Sequence, residues 1–331
     1  MADEVEADPL AGLKEAARLG LLIPFVGAGA SRVAGCPGWP DFADRSLKFF
    51  VEKGKFTHAQ LDQIRTLHPR VKLSFAKSLE RQHDLPIDFK SVLYQNAGLS
   101  DAKGLRLYSA LAKLGKTFVT TNYDEWLDSS LATPPQQVVE GQAQVATAAQ
   151  PAPNVIYRVR DLTPDCLSRP NTVIHLHGSV KDPASMIVTT QDYIGHYAND
   201  RRKGGADEEN LVLTFLHALF QERKTVLFIG YGLEELEVLE YVIGKARLRQ
   251  PEGGKQIRHY ILQGFFGHEQ ELRRTLERYY LENGIRLIPF SRDERDWDQL
   301  IDEVEELAQL MPAAELIKIE RLVEMEALLN A

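Results

Sequence analysis

The residues of this chain best equipped for chemistry stand at the ends of short apolar runs. Thr120, Thr121, Asn122 and Asp124 follow KTFV, His177 follows TVIHL, and Gly230–Gly232 follow TVLFI. A fourth run, Leu21–Val26, leads into Gly27, Ala28, Gly29, Ala30 and Ser31. Small residues in that turn let backbone approach a ligand closely, and a helix starting after Ser31 would aim its free N–H groups at a pyrophosphate. The spacing departs from G-x-G-x-x-G/A at Arg32, so a tight strand-to-helix turn without ligand is the competing reading. A histidine with an ordinary pKa of ~6.5 can accept a proton at neutral pH, and an asparagine amide can orient a hydroxyl or a water. Each residue alone also has a plainer reading, His177 as a structural hydrogen-bond partner and N-Y-D as a helix cap. As a set they point to one crevice at the carboxyl ends of parallel strands. His175 and His177 share a strand face by the period of two, but no third ligand has a recognisable spacing, so no metal is expected.

Elements that could hold these groups follow from periodicity. Leu10–Gly20 has helical spacing, and Asp41 stands near the start of a helix through Phe50. From about Asp44 to Lys113 the pattern stays helical, which predicts an insertion or small cap beside a sheet. A strand is expected from Lys116, then a helix from EWLDSSL, with Thr133–Asn154 mainly a loop or hairpin. Thr172–Leu176 reads as a strand and Met186–Thr190 as a further short strand or edge. Asn210–Gln221 reads as a helix, Thr225–Ile229 as a strand and LEELEVLEYVIGKA as the helix after it. Strands over Arg258–Leu262 and Ile285–Pro289 flank a helix over Glu269–Leu281, and helices over Asp296–Leu310 and Ala314–Leu329 close the chain. This alternation predicts an α/β fold: a Rossmann-like, doubly wound, mainly parallel sheet with a helical insertion and C-terminal helices.

Composition narrows the class. With 331 residues, 44% hydrophobic and 26% charged, the chain has the make-up of a globular protein. A net charge of −8 and a pI near 5.7 disfavour nucleic-acid binding by bulk electrostatics. The acidic MADEVEADPL start is unlike a signal peptide, and no apolar run approaches the ~20 residues of a membrane span, so a cytoplasmic protein with no membrane partner is expected. Two cysteines, Cys36 and Cys166, cannot build a four-thiolate zinc module, and a structural disulfide is not expected.

GAGAS (Gly27–Ser31), TTNYD (Thr120–Asp124), HLHGS (His175–Ser179), KDPASMIVTTQDY (Lys181–Tyr193) and LFIGYG (Leu227–Gly232) occur in the order found in sirtuin-like proteins. In this order they resemble most the sirtuin-like NADases of bacterial antiphage defence. The resemblance covers roughly Leu21–Gly244. It implies an NAD+-binding catalytic domain over residues 1–292, with the insertion at about 44–113, and a helical extension over 293–331. It implies that Gly27, Ala28, Gly29 and Ser31 hold the NAD+ phosphates, and that Asn122 and Asp124 lie near the nicotinamide ribose and carboxamide, with Thr121 beside them. His177 matches the catalytic histidine, while Gly230 and Tyr231 match the turn toward the adenosine. PDF, Pro40–Phe42, is similar to part of the deacylase G-I-P-D-F-R signature, but Trp39 fits a G-x-P-x-W pattern better, so Asp41 and Arg45 receive no role.

The activity so implied is NAD+ hydrolysis to nicotinamide and ADP-ribose, depleting NAD+ in abortive infection. A protein deacylase and a sensor that binds NAD+ without turning it over are the alternatives. Such chains resemble those encoded beside a hexameric DNA-translocating ATPase of the HerA type, which implies that partner and a large homo-oligomer. Arg201–Glu209, RRKGGADEE, reads either as a solvated loop or as a lid. The last ~40 residues carry enough apolar surface to pack on the domain or to self-associate.

Overall fold

The computed structural model describes residues 8–95, 98–132, 152–197, 210–221, 224–232 and 257–314. In chain order these form α1 (Ala11–Arg18), β1 (Leu22–Val26), α2 (Ala28–Val33), α3 (Trp39–Glu52), α4 (His58–Gln63), α5 (Pro69–His83), α6 (Phe89–Leu93), α7 (Ala102–Leu111), β2 (Thr117–Thr120), α8 (Trp126–Ala132), β3 (Asn154–Ile156), β4 (Thr172–His175), α9 (Thr190–Tyr197), α10 (Leu211–Gln221), β5 (Thr225–Ile229), β6 (His259–Phe265), α11 (Gln270–Glu282), β7 (Ile285–Ser291) and α12 (Gln299–Leu310). The seven strands make one sheet in the order β3-β4-β2-β1-β5-β6-β7, and every pairing is parallel. The chain therefore has the expected Rossmann-like α/β fold.

Successive residues of β1 point to opposite faces, and each face is buried. Leu22 and Val26 join a core with α1, α2, α7, α8 and α12, whereas Ile23 and Phe25 join one with α10 and α11. Pro24 is tolerated in this central strand because β2 pairs with β1 only from Phe25 onward.

A third core lies off the sheet. Phe42, Leu47 and Phe50 of α3, Leu73 and Ala76 of α5, and Phe89, Val92 and Leu93 of α6 pack together there. The same core takes in Tyr123 from the segment after β2 and Val180, Met186 and Val188 from the segment after β4. Lys72 of α5, itself buried, pairs with Asp44 of α3 at 2.7 Å and ties the two longest insertion helices together.

Three expectations change. The helix after the glycine turn begins at Ala28 and not beyond Ser31, with Gly27 as its extended N-cap residue. Met186–Thr190 is not a strand: Met186 and Val188 turn into the third core, Ile187 N–H donates to the His177 carbonyl at 2.9 Å, and α9 starts at Thr190. Asp192 accepts from the Val188 and Thr189 amides and caps that helix. Asn154, the last residue of the expected loop or hairpin, instead opens the edge strand β3, whose other residues had no expected element. The expected helix over LEELEVLEYVIGKA, the RRKGGADEE loop and most of the final helix lie outside the described residues.

Candidate active site

A cavity of about 300 Å³ opens at the carboxyl ends of β1, β2 and β4. Ala28, Ser31, Thr121, Asn122, Tyr123, Asp124 and His177 form the wall on the sheet side. Cys36, Pro37, Trp39, Phe42, His68, Arg70, Leu93 and Tyr193 form the opposite wall.

Hydrogen bonds between strand ends fix the first wall. Thr120 Oγ1 donates to the Val26 carbonyl at 2.7 Å and accepts the Asn122 amide at 3.0 Å. Asn122 Nδ2 donates to the Gly27 carbonyl, also at 3.0 Å, so the amide of Asn122 is held across the ends of β1 and β2. Ser31 Oγ donates to Asp124 Oδ2 at 2.5 Å, and the Trp126 amide donates to Oδ1 at 3.1 Å. Burial nevertheless pushes the Asp124 carboxyl above the usual carboxylate range, because the Ser31 hydroxyl and the Trp126 amide only partly offset desolvation.

His177 sits against aromatic rings. Its Nε2 lies 2.6 Å from the Tyr197 hydroxyl and its Nδ1 3.4 Å from that of Tyr193. The Tyr193 ring meets it edge-on at 5.1 Å, and the His196 ring lies at 5.9 Å. Burial drives the His177 pKa down to about 3, helped by charge repulsion from His196 and Arg70. The imidazole is therefore neutral at any physiological pH and keeps a nitrogen lone pair able to accept a hydrogen bond. Arg70 stacks its guanidinium on the ring of Tyr193, 3.9 Å from the ring centre.

Among the described residues, the buried Thr121 Oγ1 and Arg70 Nε on these walls have no hydrogen-bond partner. Unsatisfied buried polar atoms are costly, and those lining a cavity are suited to a polar ligand.

The structure thus brings Ala28, Ser31, Thr121, Asn122, Asp124 and His177 to one cavity. Gly27, Gly29, Gly230 and Tyr231 are not among the residues that line it. Gly29 N–H donates to the Gly230 carbonyl at 2.7 Å, and Gly27 N–H donates to that of Ile229 at 2.9 Å. A Cβ on Gly230, whose φ is +65°, would come within 2.4 Å of the Ala30 amide, and one on Gly29 within 2.7 Å of the Gly230 carbonyl. Close approach of two backbones thus accounts for both glycines. The Tyr231 ring packs edge-on against Phe25 at 5.1 Å, inside the sheet's second core. Arg32 is exposed on the outer side of α2, next to Gly38, so no small residue is required at its position.

Sequence reasoning gave no role to His68, Arg70 or Tyr193. Tyr193 closes the quoted KDPASMIVTTQDY motif, which was its only signal. His68 and Arg70 come from H-P-R at the start of α5, where proline at the first helical position marks a helix N-terminus and nothing marks a ligand.

No helix among the described residues is long and apolar enough to cross a membrane, and none of their His, Cys, Asp and Glu side chains group as a metal site would require. A family model described as SIR2-like domain matches residues 116–288, just over half of the chain, from the start of β2 into β7. No curated protein matches the sequence.

Proposed function

The chain belongs to the SIR2-like family, and from that membership we propose that it is an NAD+ glycohydrolase, cleaving the bond between nicotinamide and ribose. The observation that carries this reading is the convergence of Ser31, Asn122, Asp124 and His177, from three strand ends, on one cavity with unsatisfied polar groups on its walls.

NAD+ brings a cationic leaving group, so nicotinamide departs with little acid assistance through an oxocarbenium-like state. The protein's tasks are then to orient, to exclude bulk water and to take a proton. The Asp124 carboxyl, with its raised pKa, is suited to hydrogen-bonding a carboxamide, and Ser31 fixes its rotamer. Asn122, tied through Nδ2 to the Gly27 carbonyl, presents its side chain to the ribose. His177, neutral and buried, accepts a proton from a ribose hydroxyl or the attacking water. The Tyr197 and Tyr193 hydroxyls, each able to donate or accept, hold the ring's orientation and are placed to pass that proton on.

Deacylation is disfavoured by the chain's two cysteines, which cannot build a four-thiolate zinc module. In keeping with the resemblance, the reading extends to NAD+ depletion in antiphage defence, a homo-oligomer and a HerA-type ATPase partner. Incubating the purified protein with NAD+, with and without that ATPase, and separating products by chromatography tests it. Release of nicotinamide and ADP-ribose is expected; intact NAD+ under both conditions overturns the proposal. Light scattering that finds only monomer removes the oligomer.

A further inference from the structure

The strand end that presents His177 carries a second histidine whose charge is fixed by its neighbours. His175 is 1% exposed; its Nδ1 lies 2.8 Å from the main-chain oxygen of Asn122 and its Nε2 lies 2.9 Å from Asp128 Oδ1. A carbonyl oxygen only accepts a hydrogen bond, and so does a carboxylate oxygen, so each ring nitrogen must carry a hydrogen. The ring is then an imidazolium.

The surrounding charges agree. Asp128, on α8, meets the Nζ of Lys181 at 2.7 Å with its other oxygen, and Asp124, in the turn before α8, adds a second negative charge. Lys181, in the segment after β4, completes a chain of alternating charge. Burial opposes an imidazolium, but Asp128 and the Asn122 carbonyl outweigh it and hold the His175 pKa above its ordinary value. Burial likewise works against the Asp128 carboxylate, yet His175 and Lys181 hold it below the usual range.

We propose that His175 is a positioning residue: as an imidazolium clamped between Asp128 and the Asn122 carbonyl, it fixes the main chain from which Asn122 and Asp124 reach the cavity. It touches no cavity atom itself and acts through that carbonyl. The clamp is complete below the ordinary histidine pKa and is lost as pH rises through the raised folded value.

The test begins with the full chain carrying ¹⁵N-labelled histidine. One ring with hydrogen on both nitrogens is expected to persist above pH 7 and to vanish in His175→Asn. If the ring that vanishes in His175→Asn carries a bare nitrogen at pH 7, the proposal is overturned. The kinetic arm rests on the NAD+ glycohydrolase reading. His175→Leu should lower kcat on the order of 10²-fold with KM within about threefold, as expected when a reacting group is misplaced rather than removed. His175→Asn keeps a donor toward the Asn122 carbonyl and should recover roughly tenfold of that loss, about one charge-assisted hydrogen bond. Equal losses in both variants overturn the positioning role. Should the wild-type chain leave NAD+ intact, the glycohydrolase reading fails by itself. The side-chain amide resonances of Asn122 then decide, moving more in His175→Leu than in His175→Asn if the clamp is real and equally if it is not. If His175→Leu does not fold, the labelled wild-type chain decides.

Discussion

The two sides of the β4 strand end set one residue type to opposite uses. On one side His175 faces a carboxylate, a carbonyl and, beyond them, a lysine, and it is charged. Two residues on, His177 faces two tyrosine hydroxyls and a second histidine ring, with an arginine behind them, and it is neutral. Both are nearly inaccessible to water, so burial alone cannot separate them. What separates them is whether burial comes with an anion, and the lesson is that a buried histidine's role is set by its partners.

The sharpest way to break this contrast is at the neutral side. His177→Ala and Asn122→Ala should each lower NAD+ turnover on the order of 10²–10⁴-fold with the fold retained, measured as nicotinamide release beside circular dichroism. Near-wild-type turnover in both would remove the base and the orienting amide together. A smaller effect is expected at Tyr197→Phe, which deletes the hydroxyl 2.6 Å from His177 Nε2 and leaves the ring. Turnover should fall roughly three- to tenfold, the worth of one hydrogen bond, and unchanged turnover would mean that Tyr197 does not hold the His177 ring in place.

The smallest effect concerns stability against pH. His177 and His196 titrate when folded at about 3 and about 4, both driven down mainly by burial. The unfolded chain takes up their protons near pH 6.5, which the folded chain refuses, so stability falls as pH is lowered from ~6.5 to about 4 through both rings and on to about 3 through His177. His196→Phe should shrink that fall in Tm by a few degrees. An unaltered Tm-versus-pH slope would show that His196 takes up its proton as readily in the folded protein as in the unfolded chain.

Sequence showed the sheet well where strands are buried on both faces. Thr225–Ile229 and Thr172–Leu176 are mostly apolar runs bounded by polar or glycine punctuation, and they form interior parallel strands, the second ending at His175. The edge strand β3 is only three residues long and follows a Pro- and Gln-rich stretch, so periodicity had nothing to act on. Met186–Thr190 misled for a physical reason: its apolar residues serve the third core, which from sequence alone looks the same as service in a ladder.

The site divides in the same way. Asn122, Asp124 and His177 sit at strand ends, where the topology itself says a ligand belongs. His68 and Arg70 reach the cavity only because the insertion folds over it, a tertiary fact that helical spacing cannot carry. His175 was noticed for the wrong chemistry: the shared strand face suggested a metal pair, whereas the structure turns it toward Asp128, away from His177's aromatic neighbours.

The core of the insertion also holds Tyr123, Val180, Met186 and Val188, which flank Asn122 and His177 in sequence. The insertion is consequently no detachable module. Trimming it, or exchanging it for that of a relative, would strip the packing from the two segments that bear the reactive groups, so recombination at its boundaries can succeed only when those segments travel with it.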